Sequence, residues 1–378
     1  MIRCSVFDVQ CEAGCRTCLF LCASVCGRLR VCSFFGTINH CEKVNWVRKI
    51  KDIEEENMRI LGKKIIAIAL ILVAMLQLTA CGGADRLMMG TGGTAGTYYA
   101  YGGVLAQYIK NYANVKVTAV STGGSKVNIQ SIQDGDYQLG TVQSDVMTYA
   151  WNGVKAFESE GATHDFRVIG GLYAETVQLI TMEKDIDSVE DLRGKSVSIG
   201  APGSGVYYNA QDVLSAAGIT EDDIIPQYQS FEDSKEALKD GKIDAAFIVA
   251  GAPTSAITEL GTTNGVKLIN IDGDLRSKIM EECPYYSEYK IPAGTYPGQD
   301  KDIETITVKA TLIVSAELPE EEVYKMTKAI FDHKDEIASE NAKGDELSLS
   351  NATAGIAVPF HKGAAKYYAE NGIQVDNE

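Results

Sequence analysis

The chain has 378 residues, with 35 Lys and Arg, 51 Asp and Glu, and ten Cys. Of these, 24 basic and 44 acidic residues follow residue 80, so the net charge of residues 81–378 is −20. A surface this acidic argues against nucleic-acid binding and against electrostatic adhesion to anionic lipid. The 298 residues that remain after residue 80 are enough for two lobes of ordinary domain size.

Residues 1–57 differ in composition from the rest of the chain. Eight of the ten Cys lie between Cys4 and Cys41, and Cys15-Arg16-Thr17-Cys18 forms a C-x-x-C pattern. This pattern has no second C-x-x-C to pair with, and His40 is the only His nearby, which argues against a metal or disulfide cluster. A signal peptide behind 57 residues would also be badly placed for export. We predict that residues 1–57 are a misassigned extension and that translation starts at Met58; a metal-binding or redox tail is the alternative.

Residues 58–80 have the layout of a secretory signal peptide. A basic opening at 58–64 precedes an unbroken apolar run at 65–76. That run is shorter than the roughly 20 residues that a helix needs to span a bilayer. The following Leu78-Thr79-Ala80-Cys81 resembles a bacterial lipobox. We therefore predict cleavage before Cys81, lipidation of that Cys, and a short linker at 81–85; a free Cys after a buried helix is the alternative.

Beyond residue 85 the sequence alternates β-prone segments, glycine-rich turns and helical patterns, which predicts an α/β architecture with mainly parallel sheets. The first predicted strands are 86–90, 115–121 and 137–142, each followed by a helix. The polar turns after these strands lie at 91–96, 122–125 and 143–145. Open α/β sheets bind ligands at the carboxyl ends of their strands, so these turns are the first candidates for a site.

A long β-prone stretch at 166–182 is predicted to leave one lobe and enter another. The following predicted strands are 195–200, 224–229, 243–250, 266–271 and 304–315. The predicted helices are a short one at 188–192, one that passes through Val213 and Leu214, 234–240, one that starts at Pro319, and 362–370, while 284–297 is predicted to be a loop. We expect lobe 1 to contain 86–178 with about 345–378, and lobe 2 to contain 179–344.

No catalytic apparatus is visible in the sequence. The segment 90–95 can be aligned with G-x-G-x-x-A, but the strand at 115–121 ends without the acidic residue that would hold a ribose. Ser204 is preceded by Pro202-Gly203 and lacks the G-x-S-x-G elbow. His164, His333 and His361 form no H-E-x-x-H pattern. We predict that the chain is not an enzyme and has no catalytic residue, cofactor or metal site.

The glycine-rich turns favour the binding of a small anion instead. Backbone N–H groups at helix starts carry partial positive charge, and glycine lets a ligand approach them closely. Four such turns lie at 91–96, 122–125, 143–145 and 203–205. A tight turn between strand and helix explains each one alone, but their repetition in both predicted lobes favours a shared cleft.

Several blocks of the sequence resemble the TAXI family, the extracytoplasmic solute-binding subunits of TRAP transporters. They are Gly90-Thr91-Gly92-Gly93-Thr94-Ala95-Gly96-Thr97-Tyr98-Tyr99, Ser121-Thr122-Gly123-Gly124-Ser125, Gln143-Ser144-Asp145, Gly171-Leu172-Tyr173, Ala201-Pro202-Gly203-Ser204-Gly205 and Asp244-Ala245-Ala246-Phe247. The resemblance implies a two-lobe periplasmic-binding-protein type II fold that closes on a small carboxylate, such as glutamate or a 2-oxoacid. It also implies delivery of that ligand to an ion-driven membrane permease, from a lipid-anchored position outside the cytoplasm. Residues 1–57 match nothing in that family.

These observations predict a ligand site. The residues expected to hold the ligand carboxylate are Gly92, Gly93, Thr94, Ser125 and Ser204, with side-chain hydrogen bonds from Gln143 and Ser144. Tyr173 is expected to pack along the ligand, and Asp145 and Glu175 are the candidates for an ammonium group, with helix capping or surface exposure as their alternatives. A ligand-sensing lipoprotein or a lipoprotein enzyme that uses the same cleft is the alternative function.

Overall fold

The structure is a computed structural model that describes residues 86–377. The predicted extension at 1–57, the signal peptide at 58–80 and the lipidated Cys81 lie outside the described residues. Within residues 86–377, none of the helices combines the length and the apolar character needed to cross a membrane.

Ten strands form one continuous mixed sheet. They are β1 Leu87–Gly90, β2 Val117–Val120, β3 Leu139–Gln143, β4 Phe166–Thr181, β5 Ser196–Ser198, β6 Ile225–Gln227, β7 Ala245–Ala250, β8 Lys267–Ile269, β9 Ser287–Ile291 and β10 Ile303–Ser315. The strand order is β2-β1-β3-β10-β4-β7-β5-β6, with β8 paired to β4 and β9 paired to β10.

Helices flank this sheet. They are α1 Thr97–Tyr108, α2 Ser125–Gln133, α3 Ser144–Asn152, α4 Gly205–Ala216, α5 Phe231–Lys239, α6 Ser255–Thr263, α7 Gly273–Glu282, α8 Glu320–Asp332, α9 Lys334–Glu340, α10 Leu349–Thr353 and α11 Lys362–Glu370. Helix α8 follows Pro319 and carries three Glu in its first turn, where the helix dipole favours negative charge. Its Val323, Met326 and Ile330 are buried, as the helical spacing predicts.

The sheet is shared by two lobes with separate hydrophobic cores. The core of lobe 1 includes Tyr173 on β4 and Ala310 on β10, whereas the main core of lobe 2 includes Val177 and Val308 on the same strands. The antiparallel strands β4 and β10 therefore cross from one lobe to the other side by side. Strand β4 changes lobes across the three residues between Tyr173 and Val177, and β10 changes lobes at the single residue between Val308 and Ala310.

The two lobes repeat one local topology. In lobe 1, β1 pairs in parallel with β2 and β3, and β10 runs antiparallel to β3. In lobe 2, β5 pairs in parallel with β6 and β7, and β4 runs antiparallel to β7. Each lobe thus has three parallel strands with the first in the middle, closed by a strand that arrives from the other lobe.

Two predictions about the elements are corrected by the structure, and two helices that were not predicted are present. Helix α8 packs against α11 and lies in the core of lobe 1, so the stretch after Val308 belongs to lobe 1 rather than to the predicted lobe 2 that ends at 344. Strand β9 lies inside the predicted loop 284–297, because pairing with the edge of β10 supplies its hydrogen bonds. Helices α6 and α7 were not predicted, since their sequences are rich in Thr, Asp and Glu.

A candidate ligand-binding site between the lobes

A cavity lies between the two lobes at the carboxyl ends of the parallel strands, and its empty volume, including space open to solvent, is about 640 Å³. Lobe 1 contributes Gly92, Gly93, Gly96, Tyr98, Ser125 and Gln143 to the wall. Lobe 2 contributes Ser204, Gly205, Val206, Gln229, Phe231 and Val249, and Glu175 lies on the crossing part of β4. Each of the four turns singled out in the sequence therefore supplies at least one residue of the wall.

Three helices start at this cavity. Helix α1 follows the turn with Gly92 and Gly93, α2 starts at Ser125, and α4 starts at Gly205. Each has nine or twelve residues, so each directs the positive end of its dipole toward the cavity wall. The Ser125 hydroxyl accepts a hydrogen bond from the Gln143 backbone N–H at 3.1 Å and lies beside the Tyr98 hydroxyl.

Two of the wall glycines are required by the local geometry. Gly124, at the start of α2, has φ of 110°, a backbone conformation that side chains disfavour. A Cβ on Gly205 would lie 1.5 Å from the Oε1 atom of Gln143. Glycine at 205 therefore allows α4 of lobe 2 to meet the Gln143 side chain of lobe 1.

The lobes are in contact on both sides of the cavity. The Thr97 hydroxyl of lobe 1 donates to the Gly251 carbonyl of lobe 2 at 2.9 Å. The Lys126 backbone N–H of lobe 1 donates to the Gly203 carbonyl of lobe 2 at 3.2 Å. The structure is therefore a closed form, in which a ligand would touch both lobes.

Glu175 lies where β4 crosses between the lobes, and it is 2% exposed. Its Oε1 atom has no hydrogen-bond partner among the described residues. Burial raises the pKa of this carboxyl from its usual 4.5 to about 8, against the lowering effects of the nearby Tyr173 hydroxyl, the Lys343 ammonium and the Gly251 backbone N–H. A carboxyl group held in this way is mostly protonated at pH 7 and ionises when a cation arrives.

Other buried polar atoms of the wall are also unpartnered. Within the described part of the chain, Gln143 Oε1, Gln229 Oε1 and the Tyr98 hydroxyl make no hydrogen bond. Burial, followed by the charge of Glu175, raises the pKa of Tyr98 well above its usual value. Tyr101, Asp145, Tyr173 and Thr176 also have a buried oxygen that is unpartnered within residues 86–377, but they do not line the cavity. Buried polar atoms are almost always satisfied in folded proteins, so the unpartnered atoms of the wall are candidates for hydrogen bonds to a ligand. Together with Glu175 Oε1, the two Gln oxygens make three unpartnered carbonyl or carboxyl oxygens in the wall, which accept hydrogen bonds.

The cavity wall contains no basic side chain among the described residues. A ligand carboxylate would therefore be held by backbone N–H groups and hydroxyls at the helix starts rather than by Lys or Arg. The remaining wall includes the apolar Val206, Phe231 and Val249.

Asp145 is buried within a hydrogen-bond network between the lobes and does not line the cavity. Its Oδ2 atom accepts from Asn209 Nδ2 at 2.8 Å, and Asn209 Oδ1 accepts from Gln143 Nε2 at 2.9 Å. Burial raises the pKa of Asp145 to about 6. The structure thus separates the two acidic candidates, with Glu175 in the wall and Asp145 behind it.

Four other predicted site residues have different surroundings from those expected. Thr94 is exposed, and neither it, Ser144 nor Tyr173 lines the cavity. The Ser144 hydroxyl accepts from a backbone N–H of β10, and the Tyr173 ring packs edge-on against a neighbouring Tyr in the core of lobe 1. Ser204 lines the wall, but both its hydroxyl and its N–H donate to the Ala201 carbonyl, so neither donor is free for a carboxylate.

Four residues that shape the site were not predicted: Tyr98, Asn209, Gln229 and Phe231. Tyr98 could have been found, because it follows the glycine turn at the first turn of α1. Asn209, Gln229 and Phe231 come from lobe 2, and no local pattern shows which lobe 2 residues meet lobe 1. Their position depends on how the two lobes close.

The arrangement confirms the predicted two-lobe, periplasmic-binding-protein-like α/β fold. Among solved structures, the chain is similar to the alkanesulfonate-binding protein of Xanthomonas axonopodis pv. citri bound to MOPS, with 16% identity, coverage of 77% of this chain and 94% of that chain, and a TM-score of 0.43. It is also similar to the ligand-binding core of GluR0 from Nostoc punctiforme in complex with L-glutamate, with 16% identity, coverage of 69% and 98%, and a TM-score of 0.43. Residues 89–372, which span both lobes, match the NMT1-like family. The chain belongs to the NMT1-like family.

Proposed function

We propose that this protein is an extracytoplasmic solute-binding lipoprotein that captures a small amino acid between its lobes and delivers it to a TRAP transporter permease. The observation that carries the ligand class is the group of unpartnered acceptor atoms in the same wall as three helix starts. The ligand that this wall fits has both a carboxylate and an ammonium group.

The helix starts fit the carboxylate. The amino-terminal ends of α1, α2 and α4 meet at the cavity, and the Ser125 hydroxyl lies in its wall. Backbone N–H groups and a hydroxyl bind a carboxylate without a basic side chain, as at other anion sites on helix starts. Charge-assisted hydrogen bonds of this kind contribute roughly 1.5 to 3 kcal/mol each.

The acceptor atoms fit the ammonium group. An ammonium has three N–H donors and no acceptor, and the unpartnered oxygens Glu175 Oε1, Gln143 Oε1 and Gln229 Oε1 need donors. An ammonium beside Glu175 would also stabilise its ionised form. A 2-oxoacid offers an acceptor at the same position and would leave these oxygens unsatisfied. Among small carboxylates, the proposed ligand is therefore an amino acid rather than a 2-oxoacid or a dicarboxylate.

Calorimetry in two buffers of different ionisation enthalpy tests this proposal at pH 7. The probes are L-glutamate, L-glutamine and L-leucine, each with the 2-oxoacid of the same carbon skeleton. A carboxyl with a pKa of about 8 is about 90% protonated at pH 7, so binding an amino acid should release about 0.9 proton per site. The matched 2-oxoacid should bind more weakly and release none.

The Glu175→Gln variant provides the control, since glutamine keeps the shape but cannot ionise. It should lose both the proton release and most of the affinity for amino acids. Amino-acid binding without proton release, together with wild-type affinity in Glu175→Gln, would contradict the assignment of the ammonium to this carboxyl.

Membrane attachment is supported by the sequence outside the described residues, and the permease partner by the resemblance of the blocks between Gly90 and Phe247 to TRAP transporter binding subunits. The basic, apolar and lipobox segments stand in the required order before Cys81. Two or three acyl chains anchor a protein durably, because each buried methylene contributes about 0.8 kcal/mol. Intact mass of the membrane-extracted protein should show a lipidated Cys81 as its first residue. A mature protein that still contains Cys4 to Cys41 would contradict it.

A further inference from the structure

The side-chain amide of Gln143 can face the cavity with either its oxygen or its nitrogen, and the choice decides what the site recognises. With Oε1 in the wall the site accepts a hydrogen bond, and with Nε2 there it donates one. In the structure Nε2 donates to Asn209 at 2.9 Å, while Oε1 is buried, unpartnered and against Gly205. Something must hold the amide in this orientation, because the two ends are nearly identical in shape.

Asn209 holds it, since Asn209 itself can bond in only one orientation. Its Nδ2 donates to Asp145 Oδ2 at 2.8 Å and to the Tyr286 hydroxyl at 2.8 Å. An ionised carboxylate only accepts hydrogen bonds, so Asn209 must present its nitrogen to Asp145. Its Oδ1 is then the atom that meets Gln143, and Gln143 must donate.

Tyr286 fixes Asn209 from a second side. Its hydroxyl proton goes to Asp212 Oδ2 at 3.1 Å, so the hydroxyl oxygen can only accept from Asn209. Asp212 in turn forms a 3.0 Å salt bridge with Lys155 of lobe 1. Two carboxylates, one direct and one through Tyr286, thus impose one direction of hydrogen bonding on Asn209.

We infer that Asp145 is a positioning residue for ligand selection: through Asn209 of the opposite lobe it fixes the Gln143 amide with Oε1 in the cavity wall, so that the closed site selects an ammonium over a keto oxygen. This inference rests on the proposed function. Asp145 and Asn209 are fully buried and Gln143 is 2% exposed, so water does not compete for these hydrogen bonds. Because Asn209 comes from lobe 2, the orientation is imposed only when the lobes close.

The test compares the double variant Asp145→Asn/Tyr286→Phe with wild type by calorimetry, using the tightest-binding amino acid among L-glutamate, L-glutamine and L-leucine and its matched 2-oxoacid. An asparagine at 145 can offer either its oxygen or its nitrogen to Asn209, and phenylalanine at 286 removes the second constraint on Asn209, so Gln143 can turn. The ratio of amino-acid affinity to 2-oxoacid affinity should fall about tenfold, the value of roughly one hydrogen bond. Asn209→Ala, which removes the connection from lobe 2, should lower the same ratio.

Ser144→Ala is the matched control, since Ser144 adjoins both Gln143 and Asp145 but bonds only to the β10 backbone. It should leave the ratio unchanged. A purely structural role of Asp145 would weaken both ligands equally, so an unchanged ratio in both Asp145→Asn/Tyr286→Phe and Asn209→Ala overturns the inference while leaving the proposed function intact. Failure of all six probes to bind wild type overturns both.

Discussion

Replacing Glu175 with Gln should stabilise the ligand-free protein in a pH-dependent way. The pKa of Glu175 rises from 4.5 to about 8 on folding, so the folded state holds a proton that the unfolded state has lost between these values. Stability is therefore unaffected by this group below about pH 4.5, falls as the pH rises toward 8, and levels off above it. At about 1.4 kcal/mol per pKa unit, the loss is about 3 kcal/mol at pH 7 and about 5 kcal/mol above pH 8.

Thermal unfolding of ligand-free wild type and Glu175→Gln across pH 5 to 9 measures this effect. A shift of about 2 °C per kcal/mol gives a variant that melts about 6 °C higher than wild type at pH 7 and about 10 °C higher at pH 9. The two proteins should differ little near pH 5. Glu183→Gln, an exposed substitution just beyond the end of the same strand, should not change the pH dependence. Parallel melting curves for wild type and Glu175→Gln over the whole range would refute the reasoning.

Three further predictions concern single positions. Gly93→Val should fold normally, because a Cβ at this position meets no atom within 4 Å. It should lower ligand affinity at least tenfold in calorimetry, because the side chain projects from the cavity wall. Gly103→Val is the control: its position is equally open but lies on the outer side of α1, so it should bind ligand as wild type does. Gly205→Ala should prevent full closure, because its methyl group would overlap the Gln143 amide, and small-angle scattering with saturating ligand should show a larger radius than for wild type. His361→Ala should lower the free energy of unfolding by about 1 kcal/mol, because the ring caps the start of α11 with a 3.1 Å hydrogen bond. In urea denaturation, His361→Asn should retain most of that stability. Equal loss in both variants would contradict a capping role.

The sequence by itself determined the fold class and identified the turns that line the cavity between the lobes. Each strand of lobe 1 ends in a glycine-rich or polar turn that starts a helix, and these local patterns are sufficient because a parallel sheet places such turns at one edge. The long β-prone stretches at 166–182 and 304–315 marked the crossing strands for the same reason, since they are too long for one lobe. Gly92, Gly93, Ser125 and Gln143 were found in this way, and all four line the cavity.

Only the tertiary structure decided which polar groups face a ligand. Asp145 and Glu175 look alike in the sequence, yet Asp145 lies behind the cavity, bonded to Asn209 64 residues away, whereas Glu175 lines the cavity wall. Ser204 follows a glycine turn as predicted, but its donors are used by a carbonyl of its own turn. These differences depend on how two lobes approach each other, and contacts across a closed cleft leave no periodic pattern in either segment. Sequence patterns therefore place the turns at the site, whereas lobe closure assigns the individual hydrogen bonds.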